Sequence, residues 1–116
     1  MAIAVTSPAS RVGFIKNATS ADASGCEEII AATSGKQIKI RHLTINNGAN
    51  ALSHTIGEDK NGAAVKTALI GPIAMAADTS LQWNFNPPME LTANTALVID
   101  SSGAGAVCVF VQGEIE

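Results

Sequence analysis

The sequence calls for an all-β chain folded as a single-domain antiparallel β-sandwich of jelly-roll character. Three features carry that expectation. Turn-forming glycine, proline, asparagine and aspartate recur about every 8 to 12 residues. The segments between them alternate apolar and polar side chains, the period of a strand with one face buried. Aromatic residues make up 3% of the chain, tyrosine is absent and there are ten glycines, a composition that favours short strands and turns over long helices. At 116 residues and 11.8 kDa the chain has the size of one domain. It divides into an extended N-terminal arm, residues 1–10, and a β-sandwich domain, residues 11–116.

In the arm, Ile3 and Val5 alternate with alanines and Pro8 prevents a helix from running on. Val12-Gly13-Phe14-Ile15 then reads as an edge strand. In residues 24–32, Ser24 and Glu27 match a capping box and allow a short helix. The β-branched pair Ile29-Ile30 and the shortness of the run favour a strand. The clearest strand covers residues 36–46, where Ile38 and Ile40 are apolar at even positions and Leu43 and Ile45 at odd ones. Keeping both pairs inward requires one extra residue near Arg41-His42, so the pattern predicts a β-bulge or a bend where the strand passes from one sheet to the other.

Asn46-Asn47-Gly48-Ala49-Asn50 tolerates positive φ, and residues 51–56 read as the returning strand of a hairpin. A second turn is expected at Gly57-Glu58-Asp59-Lys60-Asn61-Gly62, followed by a weaker strand over residues 63–70 that Gly71-Pro72 ends. Residues 80–86 alternate cleanly, with Leu81, Trp83 and Phe85 on one face, until Pro87-Pro88 stops them because neither proline can donate to a ladder. Residues 95–100 and 106–112 are the last two strong strands. The final one is apolar on both faces, with Val107, Val109 and Val111 on one and Ala106, Cys108 and Phe110 on the other. Val107, Val109, Val111 and Phe110 are therefore candidates for the core or an oligomer interface. The count is about seven to nine short strands, the number of a sandwich or jelly roll.

Charged residues are 15% of the chain against roughly 25% in an ordinary soluble domain, and mean hydropathy is +0.24. That shortage implies surface hidden against copies of the chain or against a partner. The net charge of −3 comes from ten acids and seven bases with no basic block, so nucleic acid is not an expected partner. The weakly polar stretch 68–77 is broken by Gly71 and Pro72 and falls short of the ~18 to 20 residues of a membrane helix. The N-terminus lacks the positive region and apolar length of a signal peptide, so synthesis in the cytoplasm is expected. In that compartment Cys26 and Cys108, which share no metal-type spacing, are expected to stay free.

No motif points to catalysis. Residues 57–62 have the glycine spacing of a phosphate loop, but Ala63-Ala64 stand where Lys and Ser or Thr would be needed. Gly103-Ala104-Gly105 precedes a β-branched run, not the helix that would receive a pyrophosphate. Glu27 and Glu28 are adjacent and point to opposite faces of a strand, which does not make an acid–base pair. Asn17-Ala18-Thr19 is a glycosylation sequon that reads as an ordinary polar loop without a secretory signal. His42 and His54 lie symmetrically about Gly48, so the expected hairpin would set them nearly opposite each other. Two imidazoles still make only half of a zinc shell. No catalytic residue, cofactor, metal or small-molecule substrate is expected. Trp83 and Phe85, in phase with Leu81, read as core packing before partner anchors.

Residues 28–45, Gly71-Pro72-Ile73-Ala74-Met75-Ala76-Ala77, Phe85-Asn86-Pro87 and Leu91-Thr92-Ala93-Asn94-Thr95-Ala96-Leu97-Val98-Ile99 resemble small virion structural proteins of tailed bacteriophages. The resemblance is to capsid decoration, or cement, proteins with a jelly-roll or β-sandwich fold. It implies a homotrimer on the outer capsid surface that clamps major capsid protein subunits after the shell expands, with no catalytic or cofactor residues. It also implies that the arm docks on the capsid, which makes Ile3, Val5 and Pro8 the capsid-contact candidates, by strand addition or along a subunit seam. Localisation would be the virion, with no membrane or nucleic acid bound. Two competing readings are a receptor- or glycan-binding knob of a phage tail or fibre, and a small enzyme of the cupin kind. The second needs clustered histidines, where the chain has two.

Overall fold

The computed structural model describes residues 12–20, 25–59 and 67–116. The expected arm, with Ile3, Val5 and Pro8, lies outside the described residues, as do most of the turn after Asp59 and the start of the strand expected over 63–70. Eight strands are described: β1 (Val12–Ser20), β2 (Gly25–Ile30), β3 (Ile38–Asn47), β4 (Leu52–Asp59), β5 (Thr67–Met75), β6 (Ser80–Glu90), β7 (Ala96–Ser101) and β8 (Val107–Ile115). They form two four-stranded antiparallel sheets, ordered β1-β8-β3-β6 and β2-β7-β4-β5. This is the two-sheet, eight-strand order of a jelly roll. Residues 25–30 are strand, as the β-branched pair suggested, and β1 is an edge strand.

The core lies between the sheets. From the first sheet come Ile38, Ile40, Leu43 and Ile45 of β3 and Val107, Val109 and Val111 of β8; from the second come Ile29, Ile56, Met75, Leu97 and Ile99. All four apolar residues of β3 point inward because the ladder slips between Ile40 and His42. Ile40 faces Gly113 and His42 faces Gln112, so Arg41 is the extra residue. The bulge expected from the change of phase is therefore present, but β3 stays in one sheet throughout instead of passing between two. Gly113 sits opposite the bulge, and a Cβ there would run into the Lys39 carbonyl.

The expected hairpin after Asn47 does not form. Strands β3 and β4 belong to different sheets, so residues 48–51 arch over the end of the sandwich. Backbone bonds hold the arch: Gly48 N–H donates to the Ala106 carbonyl (2.9 Å) and its own carbonyl accepts from Asp78 N–H (2.7 Å). Arches and hairpins need the same positive-φ and polar residues, and only the competition for sheet partners separates them. Of the turn expected at residues 57–62, Gly57, Glu58 and Asp59 instead continue β4 and are buried.

Three prolines expected to end strands, Pro72, Pro87 and Pro88, instead sit inside edge strands. Strand β5 runs through Gly71-Pro72, and β6 through Pro87-Pro88. Each occupies an outer position in its sheet, and each ladder is bulged there: β4 pairs with β5 through two register shifts, and β6 loops out residues 85–88 between the pairs Ile40↔Met89 and His42↔Asn84. An edge strand has no neighbour on one side, so a missing N–H costs little. Gly71 takes a φ of +97° and packs so closely that a Cβ would stand 2.7 Å from the His54 carbonyl oxygen, which excludes larger residues. The strand buried on both faces is β7, where Ala96, Leu97, Val98 and Ile99 are all buried, and not β8, whose Cys108 and Phe110 are half-exposed.

Candidate functional site

The sandwich has two long sides. On one, β5 and β6 are the outer strands; on the other, β1 and β2 are. Strand β1 keeps an unbroken register with β8 from Val12↔Ile115 to Ser20↔Val107, with no proline and no bulge. Its side chains do not follow the burial expected of a covered strand: Val12 is 60% exposed and Ile15 69%. Phe14 and Ala18 turn inward and pack on the core. Lys16 is exposed and is the only charged residue of the strand.

Two concavities border β1. A groove of about 520 Å³ runs between β1 and β2, with Lys16 on one wall and Glu28 on the other, over a floor that includes Phe14, Ile29 and Ile115. A depression of about 510 Å³ lies on the opposite face, where Gly13 leaves space beside Ile15 and the Arg41–Glu114 pair. The bulge at Arg41 shapes this second site. It aims the guanidinium at Glu114, with Nη2 to Oε1 at 2.7 Å and Nε to Oε2 at 3.0 Å, a two-pronged pairing that covers the carboxylate to 8% exposure.

The outer face of the first sheet carries four cross-strand rows: a charged one at one end, Gly13, Glu114, Lys39 and Glu90, and then Ile15, Gln112, His42 and Asn84; Asn17, Phe110, Thr44 and Gln82; Thr19, Cys108, Asn46 and Ser80. None of the residues in the last three rows is Lys, Arg, Asp or Glu. Their polar groups bond to one another: His42 Nδ1 lies 2.8 Å from Asn84 Oδ1, its Nε2 lies 2.7 Å from Thr44 Oγ1, and the Cys108 thiol donates to Asn17 Oδ1 at 2.9 Å. The ring of Phe110 meets that of His42 edge-on at 5.8 Å. The glycosylation sequon thus lies on a strand, not in a loop.

His42 and His54 do not meet. His54 is 1% exposed, inside the second sheet, while His42 is on the outside of the first. Asn47 Nδ2 donates to the carbonyls of Asn50 (2.9 Å) and Ala76 (2.9 Å) and lies 3.3 Å from that of Met75. Its Oδ1 therefore faces His54 and accepts from Nε2–H (2.9 Å), and the Ser101 hydroxyl donates to Nδ1 (2.8 Å). Burial holds this imidazole below its ordinary pKa, in the neutral form that the network requires. The cluster ties the ends of β3, β4 and β7 together and is a structural latch.

Cys26 and Cys108 are free and stand in different sheets. Burial, then the carboxylates of Asp100, Asp59 and Glu27, push the Cys26 thiol above its usual value, so it is a poor nucleophile. Glu27 accepts from the Ser20 hydroxyl at 3.0 Å, and Glu58 receives both the backbone N–H and the hydroxyl of Thr92 at 2.6 Å. Among the described residues no group of three or more His, Cys, Asp or Glu is placed to hold a metal ion, and no helix is long and apolar enough to cross a membrane.

Val107, Val109 and Val111 lie in the core, and Phe110 is half-buried in the middle one of the three uncharged rows of the outer face. Trp83 and Phe85 pack on the core margin while Leu81 is 39% exposed. Sequence reasoning missed the exposed pair Val12 and Ile15. The signal was present, because apolar residues of both parities flank Lys16 in a strand already read as an edge. Comparison with family models, curated proteins and solved structures gave no match to this chain.

Proposed function

We propose that the chain is a virion structural protein that decorates and stabilises the outer surface of a bacteriophage capsid, as a homotrimer clamping neighbouring subunits of the major capsid protein. The observation that carries this reading is the β1 side of the sandwich, an unbroken edge strand with Val12 and Ile15 exposed. Such an edge is a template for strand addition and aggregates unless a partner covers it. On the neighbouring outer face, three of the four rows hold no charged residue, a depletion of charge like that in the middle of an interface.

The role needs no bond-making. It needs surface complementarity repeated around a symmetric assembly, where several weak contacts act together through effective concentration. Residues 1–10 lead directly into β1, and Ile3, Val5 and Pro8 are assigned to the capsid contact. Cofactor, small-molecule substrate, nucleic acid and membrane have no part in it.

The test is to mix purified protein with expanded and unexpanded phage heads and to measure occupancy by electron microscopy, with the mass of the free protein from sedimentation. The expected result is a mass near three protomers and saturable binding to expanded heads only. Deleting residues 1–10 lowers occupancy and leaves the oligomer folded, because the described core strands all begin after residue 11. A monomer that binds neither kind of head overturns the reading.

A further inference from the structure

We infer that copies of this chain join through their open side, the outer edge of β1 in one copy pairing antiparallel with the outer edge of β2 in the next. This rests on the trimeric reading above and adds the surface through which the trimer closes. Among the described residues β1 pairs only with β8 and β2 only with β7, so both edges present unused backbone donors and acceptors. Both border one groove and therefore lie on the same side of the molecule.

Charge selects the pairing. Strand β1 carries a single charged residue, Lys16, and β2 carries two, Glu27 and Glu28. Pairing β1 with β1 antiparallel about its centre would bring the lysines together, and pairing β2 with β2 would gather four carboxylates, two from each copy. Like charges directly across a ladder are destabilising and opposite ones favourable. Only β1 against β2 is complementary. Facing also agrees: Lys16 stands across from Val111 and Glu27 across from Ile99, both core residues, so both lie on the inner side of their sheets.

Symmetry permits it. An axis running along the strands beside the open side preserves strand direction, so each β1 meets the β2 of the next copy, and each copy gives one edge and receives another. The contact is heterologous and closes into a ring. Residues 1–11 contain no acid and so offer Lys16 no complementary charge, which disfavours the arm as the occupant of this edge.

The experiment is charge exchange read by sedimentation. Lys16 is exposed, so Lys16→Glu should fold, checked by circular dichroism, and its mass should fall threefold to that of one protomer, 11.8 kDa. Glu27→Lys with Glu28→Lys should do the same, and the three substitutions together should restore the trimer. A trimeric Lys16→Glu protein overturns the edge pairing and leaves the trimer reading standing. If that variant stays trimeric and deletion of residues 1–10 gives monomers, the arm fills the edge and the inference is wrong. A monomeric wild-type protein overturns both.

Discussion

The two long sides of the sandwich solve the edge-strand problem in opposite ways. On the β5/β6 side, each outer strand carries proline and a bulged ladder, at Gly71-Pro72 and at residues 85–88. Missing donors and irregular spacing deny an incoming strand a continuous template. On the β1/β2 side, β1 is regular over its whole length and shows Val12 and Ile15 to solvent. Its one protective device is Lys16. Strand β1 is regular where β5, β6 and, between Glu28 and Ile30, β2 are bulged, so among the described outer strands it offers the most continuous template.

The comparison depends on the two sheets holding together, so the largest effect should come from the shared core. Val109 is buried in β8, between β1 and β3. Val109→Asp would place an unpaired carboxylate there, at a cost of several kcal/mol against a total stability of about 5–15 kcal/mol. The expected outcome is loss of the cooperative thermal transition on both sides of the molecule. A soluble, cooperatively melting Val109→Asp protein would contradict the strand's placement.

Acid should act next, through the latch at one end. The folded pKa of His54 is lowered by burial, while in the unfolded chain it takes the ordinary value of about 6.5. As pH falls, the unfolded state binds the proton first. The stabilising contribution is therefore complete above about pH 6.5 and declines below it toward the folded pKa, by at most ~1.4 kcal/mol per pH unit. Urea midpoints between pH 7.5 and 5 measure this slope, and His54→Leu should lower stability at neutral pH and flatten that part of the slope. An unchanged slope in His54→Leu would assign the pH dependence elsewhere.

Smaller effects separate the two flanks. Replacing Pro88 with Val returns a donor to the β6 edge, with a change in stability under about 1 kcal/mol but with new aggregation seen by light scattering. If the variant scatters no more than wild type, Pro88 is not the guard. Ile15→Thr should change stability by no more than about 0.5 kcal/mol, since the side chain is largely exposed. It should nevertheless weaken self-association and capsid binding. Wild-type association by Ile15→Thr would mean that the exposed apolar edge is not the contact.

Much was legible in the residues themselves. The change of apolar phase between Ile40 and Leu43 predicts a bulge or a bend, and Arg41 supplies the bulge, because side-chain alternation is a property of the strand alone. The same holds for the reading of residues 25–30 as strand and of β1 as an edge. Which strands become neighbours was not legible: the Asn-Gly turn after Asn46 served an arch between sheets, and the two histidines expected to face each other ended on opposite layers. Local sequence sets period, turn propensity and the inward set, since those depend on a few bonds of backbone. Partner choice, and with it the buried His54 latch, the three uncharged rows of the outer face and the regular β1 edge, was decided by the tertiary fold. It depends on how eight strands compete to bury their apolar faces together, and no single segment contains that information.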